Sequence, residues 1–137
     1  MIGSDAPVAV LDASALLALL FDESGADRVE RAIARGACVS ALNWAETLTR
    51  LIERGEPVDR AASRAFPASS SGRLLLVPFD EEQARETARI RLKTRSFGLS
   101  LADRAALALA RIRRLPVLTS DRAWRSLSIS VKIEVIR

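Results

Sequence analysis

Val8-Ala9-Val10-Leu11-Asp12-Ala13-Ser14 is the stretch on which the fold turns. Four apolar residues follow one another with no polar alternation. That pattern suits a short strand covered on both faces, as in a parallel sheet. Asp12 ends the run, and from Ser14 onward the spacing becomes helical through Ala15, Leu16, Leu17, Leu19 and Leu20. The unit is therefore strand, turn, helix.

The same succession returns along the chain. Ala37-Cys38-Val39-Ser40 reads as a strand, and Ser40 can cap a helix over Ala41–Arg54 that Gly55 ends. Leu74-Leu75-Leu76-Val77 precedes a helix from Asp80-Glu81-Glu82, three acids where the helix dipole favours them, to about Arg95. Pro116-Val117-Leu118-Thr119 precedes a short helix over Ser120–Leu127, and Val131–Ile136 is a last strand. Further helices are expected over Gly25–Arg35, Pro57–Phe66 and Leu101–Arg114, with a loop over Pro67–Gly72. Such alternation predicts an α/β layered domain around a mainly parallel sheet. The 137 residues suit one domain.

Composition narrows the chemistry. There is no histidine, and Cys38 is the one cysteine. A Ser-His-Asp or Cys-His site is excluded, and so is the usual nitrogen and sulfur ligand set for zinc. An internal disulfide is excluded too, which fits a reducing cytoplasm. Met1–Asp5 has no basic n-region, and the apolar run from Val8 to Phe21 is interrupted by Asp12 and is too short to cross a bilayer, so no signal peptide or membrane span is expected. With only Lys93 and Lys132 as lysines, acid–base work falls to carboxylates.

Asp12 and Asp121 each follow a strand, where ligands of open parallel sheets bind, and where helix caps also occur. Asp103 completes the capping-box pattern Ser100-x-x-Asp103. It also stacks over Ala106, Leu107 and Ala110, on a face expected to be buried, where a carboxylate needs a partner or a metal. Glu46 has no such signal. Trp44, Ala45, Leu48, Leu51 and Ile52 share one side of its helix, and Glu46 falls nearly opposite, on a face that periodicity assigns to solvent. Ser14, Asn43, Thr47, Ser100, Thr119 and Ser120 flank the acids, either as local caps or to orient acids and water. Between Arg85 and Arg125 lie eleven bases and three acids, a net of +8, while the remainder carries −4. A basic half beside carboxylates suits a polyanionic substrate.

Taken together, Val8-Ala9-Val10-Leu11-Asp12-Ala13-Ser14, Asn43-Trp44-Ala45-Glu46, Leu99-Ser100-Leu101-Ala102-Asp103-Arg104-Ala105 and Leu118-Thr119-Ser120-Asp121-Arg122-Ala123-Trp124 resemble the PIN-domain ribonucleases, in particular the VapC toxins of bacterial type II toxin–antitoxin systems. The resemblance covers essentially the whole chain. It implies a three-layer α/β/α sandwich with a central parallel sheet. It maps the family's four acidic positions onto Asp12, Glu46, Asp103 and Asp121, which reverses the periodicity reading of Glu46, and its hydroxyl onto Ser14.

The resemblance and the histidine-free composition both point to Mg²⁺ or Mn²⁺. Asp12, Asp103 and Asp121 are the expected metal ligands. Glu46 and Asp121 would hold metal waters or a second ion, and Ser14 and Thr119 would orient the acids. Arg104 and Arg122 would touch RNA phosphate or pair with the acids. The implied activity is endoribonuclease hydrolysis of RNA, leaving a 3′-hydroxyl and a 5′-phosphate. The implied partners are a cognate antitoxin, seated in a groove among Leu16, Leu19, Leu20, Phe21, Trp44 and Leu48, and a second copy of the chain. The competing expectation is a PIN-like nucleic-acid-binding regulator without catalysis or toxin role.

Overall fold

The apolar runs form five strands in the computed structural model, which describes residues 6–65 and 74–137. They are β1 (Ala9–Leu11), β2 (Ala37–Ser40), β3 (Leu74–Val77), β4 (Val117–Thr119) and β5 (Ile133–Val135). All pairings are parallel, in the order β3-β2-β1-β4-β5. The inner strands β2, β1 and β4 are buried along their whole length, which explains their lack of polar alternation. At the edge, Leu75 and Leu76 of β3 are about half exposed.

Six helices flank the sheet: α1 (Ala13–Leu20), α2 (Ala26–Arg35), α3 (Ala41–Glu53), α4 (Val58–Ala65), α5 (Glu81–Thr94) and α6 (Leu101–Arg113). Side-chain alternation along β1 sorts them into layers. Val10 packs with Cys38, Ile90, Leu107, Val117 and Trp124, on the side of α5 and α6. Ala9 and Leu11 pack with Leu16, Val29, Leu118 and Ile136, on the side of α1 and α2. The three-layer α/β/α expectation is met. On α6, Ala105 through Ala110 are all buried, so this helix is enclosed nearly all round. Its alanines allow close approach, while Leu107 and Leu109 each contribute about 1.5–3 kcal/mol of burial.

Two local features depart from expectation or explain it. Ser120–Leu127 is not an α-helix but a tight 3₁₀ turn over Arg122–Ser126. Gly25 precedes α2 with φ +95°, and a Cβ there would meet Ile136 at 2.7 Å, so both backbone and space require glycine. The loop expected over 67–72, the end of the fourth helix at Phe66 and the Met1–Asp5 segment lie outside the described residues. Among the described residues no helix is long and apolar enough to cross a membrane.

The strand order positions the site. After β1 the chain moves to β2 and β3 on one side, then returns to β4 and β5 on the other. The order reverses between β1 and β4, and such a switch point opens a crevice at the carboxyl ends of the two strands. Leu11 is in register with Leu118, and the Asp12 N–H donates to the Leu118 carbonyl at 3.1 Å. Asp12 and Thr119 therefore emerge side by side.

Candidate active site

Asp12 is the buried centre of this crevice. As N-cap of α1 it accepts the Ala15 N–H at Oδ1, 2.8 Å away. The Ser14 hydroxyl donates to the same oxygen at 2.7 Å, and the Thr119 hydroxyl donates to Oδ2 at 2.6 Å. Both hydroxyls are oriented in turn by backbone donors from the loop after β4. Ser120 N–H donates to Ser14 Oγ at 2.9 Å, and Asp121 N–H to Thr119 Oγ1 at 3.1 Å. Each hydroxyl thus has its lone pairs occupied from one side and its proton aimed at Asp12. Even so, burial dominates and raises the Asp12 carboxyl to a pKa of about 6, with the nearby Asp103 charge adding to the rise.

Asp103 arrives from the other wall, in the first turn of α6. The capping box is real: Asp103 N–H donates to Ser100 Oγ at 3.0 Å, and Ser100 N–H donates to Asp103 Oδ2 at 2.9 Å. That bond fixes one carboxylate oxygen. Glu46 comes from α3 and is partly buried. Its pKa is raised by burial first and by the Asp103 charge second, against a lowering influence from Arg50. Asp103 therefore sits within electrostatic reach of both Asp12 and Glu46.

Asn43 joins the two walls. It is buried on α3, one turn before Glu46, and its Nδ2 donates to the Ala102 carbonyl at 2.7 Å. Ala102 directly precedes Asp103, so this bond sets the position of α3, and with it Glu46, against the start of α6.

Asp121 is held differently. It is exposed, and its Oδ1 accepts the Ala123 N–H at 3.0 Å as the cap of the 3₁₀ turn. Among the described residues no three Asp, Glu, Cys or His side chains lie close enough to hold an ion between them. The expected ligands Asp12, Asp103 and Asp121 are thus not drawn into one cluster. Local caps hold an oxygen of each. The donor set nevertheless suits a hard cation. It is all oxygen, and Mg²⁺ is commonly bound by one or two carboxylates with water and substrate phosphate completing its shell.

The family model for the PIN domain matches residues 9–129. This chain belongs to the PIN domain family. No curated protein matches its sequence. Among solved structures, a chain of the DNA-bound VapBC complex from Salmonella typhimurium superposes on this PIN domain with a TM-score of 0.73 at 18% identity, covering 96% of this chain and 100% of the other. VapBC-5 from Mycobacterium tuberculosis gives 0.59 at 26% identity, covering 96% and 99%. VapC20 of the same organism, a sarcin-ricin loop cleaving toxin, gives 0.63 at 15% identity, covering 88% and 96%.

Several expectations change in this PIN domain. The helical wheel placed Glu46 in solvent and Ala45 and Ile52 inside. Leu51 is buried as expected, but Asn43 and Thr47 are buried with it, Ala45 is exposed and Ile52 is 46% exposed. The reason is that α3 packs on α1, α4 and α6 as well as on the sheet edge, so its polar face meets a polar crevice rather than water. Arg104 neither pairs with an acid nor faces outward: its Nη1 donates to the Thr87 carbonyl of α5 at 3.0 Å. Arg122 is exposed, its Nε donating to the Arg137 carbonyl at 3.2 Å. Leu16 is fully buried core and cannot line a groove; Leu17 does so. Asn43, read from sequence as a local polar residue, is the bridge between helices. Its signal was a polar side chain on the same helical row as Thr47 and Leu51.

Proposed function

We propose that this PIN domain, spanning residues 1–137, is a metal-dependent endoribonuclease and the toxin of a type II toxin–antitoxin pair. One observation carries the reading: Asp12 is buried at the switch point between β1 and β4 with the Ser14 and Thr119 hydroxyls donating to it, and both Asp12 and Glu46 of α3 feel the charge of Asp103 from the first turn of α6. Like charges do not gather in a partly buried crevice without a use for them.

Asp12 and Asp103 would hold Mg²⁺ or Mn²⁺ directly, with Glu46 and Asp121 holding water around it. A divalent cation there supplies Lewis acidity toward the phosphate and acidifies water. Ser14 and Thr119 keep Asp12 in one orientation and favour its ionised form. The Ser100 N–H keeps one oxygen of Asp103 turned aside, leaving the other for the crevice. Asn43 fixes the distance across which a phosphodiester must fit. Water adds to phosphorus, the P–O3′ bond breaks, and the 3′-oxygen leaves with a proton.

The VapBC complexes among the structural neighbours support an antitoxin partner. VapC20, a sarcin-ricin loop cleaving toxin, supports RNA as substrate. A homodimer and a cytoplasmic setting complete the proposal. The test is cleavage of total cellular RNA with Mg²⁺, with cut ends mapped. Wild-type protein should cut and lose activity in EDTA, and Asp12→Asn and Asp103→Asn should not cut. The rival, a PIN-like regulator without catalysis, draws on the lack of a three-carboxylate cluster among the described residues. RNA binding without any metal-dependent cleavage would decide for it.

A further inference from the structure

We infer that Arg50 is the residue that grips the RNA phosphate beside the scissile one, a reading that rests on the ribonuclease proposal above. Arg50 lies on α3 four residues past Glu46, so the two side chains share one helical face. The Glu46 carboxylate responds to its charge. Four residues, about 6 Å, separate the two positions along the axis, comparable with the step between successive phosphates of a strand.

Position together with availability singles this residue out. Arg50 is exposed, and its side chain enters no hydrogen bond or ion pair among the described residues. The other arginines expected near the acids are committed: Arg104 to the Thr87 carbonyl and Arg122 to the Arg137 carbonyl. Arg64 is tied to Glu56 and to the Leu20 carbonyl. Arg50 lines an open groove of about 240 Å³ with Leu17, Phe21, Glu53 and Arg54. Its neighbour Arg54 lies over the Phe21 ring, 4.1 Å from the centroid, which fixes its guanidinium plane while leaving its edge N–H groups available. Glu53 opposes them, so the groove is only weakly basic and favours a chain of spaced phosphates over a dense acidic peptide. A guanidinium can hold a phosphate through two parallel bonds, which an ammonium cannot. The strand therefore runs from the acids along α3, with Arg50 first and Arg54 next.

The test compares wild type, Arg50→Gln and Arg50→Lys. In cleavage of a short single-stranded RNA, Arg50→Gln should raise KM about tenfold with kcat within about threefold. Equilibrium binding of the same RNA is measured in an Asp12→Asn background. There Arg50→Gln should reduce the slope of log Kd against log salt by about 0.7, the loss of one single-strand phosphate contact. Arg50→Lys should keep that slope while recovering part of the affinity. Unchanged KM and slope in Arg50→Gln would overturn the inference. So would a fall in kcat at constant KM, which assigns Arg50 to the tuning of Glu46, or lost antitoxin binding with RNA binding intact. A wild type that cuts no RNA sinks the ribonuclease reading by itself, and the binding arm still decides Arg50.

Discussion

Asp12 shows how one residue serves two ends at a strand–helix junction. It caps α1 and is also the most buried acid of the crevice. Its raised pKa has a consequence for stability with a definite sign. Between about pH 4 and pH 6 the native carboxyl keeps a proton that the unfolded chain has already lost, so native protein binds more protons and stability falls as pH rises. In metal-free buffer the loss should approach about 3 kcal/mol by pH 7 and then level off. Thermal melts from pH 4 to pH 8 measure this, and a Tm that climbs through that window would contradict it. Asp12→Asn removes the ionisation, so its melts should lack the decline. Mg²⁺ should raise the wild-type Tm more at pH 7.5 than at pH 5, because only the ionised site binds it. Asp12→Asn should respond little at either pH. From sequence alone the capping and site readings of Asp12, Asp103 and Asp121 stood as alternatives. All three do cap, each through one carboxylate oxygen, leaving the second to other partners. Capping and site duty are compatible, so local pattern could not separate them.

The helices α3 and α6 carry the two walls of the crevice, and a single side-chain bond, Asn43 to the Ala102 carbonyl, ties them at the level of the acids. Asn43→Ala should cost about 1–3 kcal/mol by leaving that carbonyl without its side-chain donor. It should also lower kcat for RNA, since Glu46 loses its fixed distance from Asp103. Urea denaturation together with cleavage kinetics separates the two effects; full kcat in a merely destabilised variant would deny Asn43 a positioning role. Most elements were legible as periodicity: β2 and β3 fall where their apolar runs stand, and α2 ends at the Gly36 stop. Glu46 was not legible, because a wheel assumes one buried side and water on the other. With α1, α4 and α6 around it, α3 has no such simple opposition. The resemblance to PIN ribonucleases pointed to Glu46 where periodicity did not, and the structure finds it partly buried and within electrostatic reach of Asp103.

Across the whole molecule the charge split of +8 and −4 takes on a direction. Part of the basic segment is neutralised in place, with Arg85 paired to Glu81, and Arg89 and Arg111 to Glu86. The exposed bases that remain near the end of α5, Arg91, Lys93 and Arg95, lie just before the Gly98–Ser100 turn that leads into Asp103. On the other wall Arg50 lies within electrostatic reach of Glu46, and Arg54 follows it along the α3 groove. A strand crossing the crevice would meet cations on both sides of a negative centre. Under the proposed function, a cation held by the acids would neutralise the charge of the scissile phosphate there, where the carboxylates alone would repel it. With three phosphate contacts the single-strand slope of log Kd on log salt is about +2, so raising salt from 50 to 200 mM should weaken RNA binding about twentyfold. Fluorescence anisotropy with a labelled single-stranded RNA reads the slope directly. A flat salt dependence would mean that bases, not phosphates, dominate the contact, and would remove the basic walls from the account. Double-stranded RNA of the same length should bind more weakly, because a paired, stacked backbone cannot be splayed toward a buried acid as a single strand can.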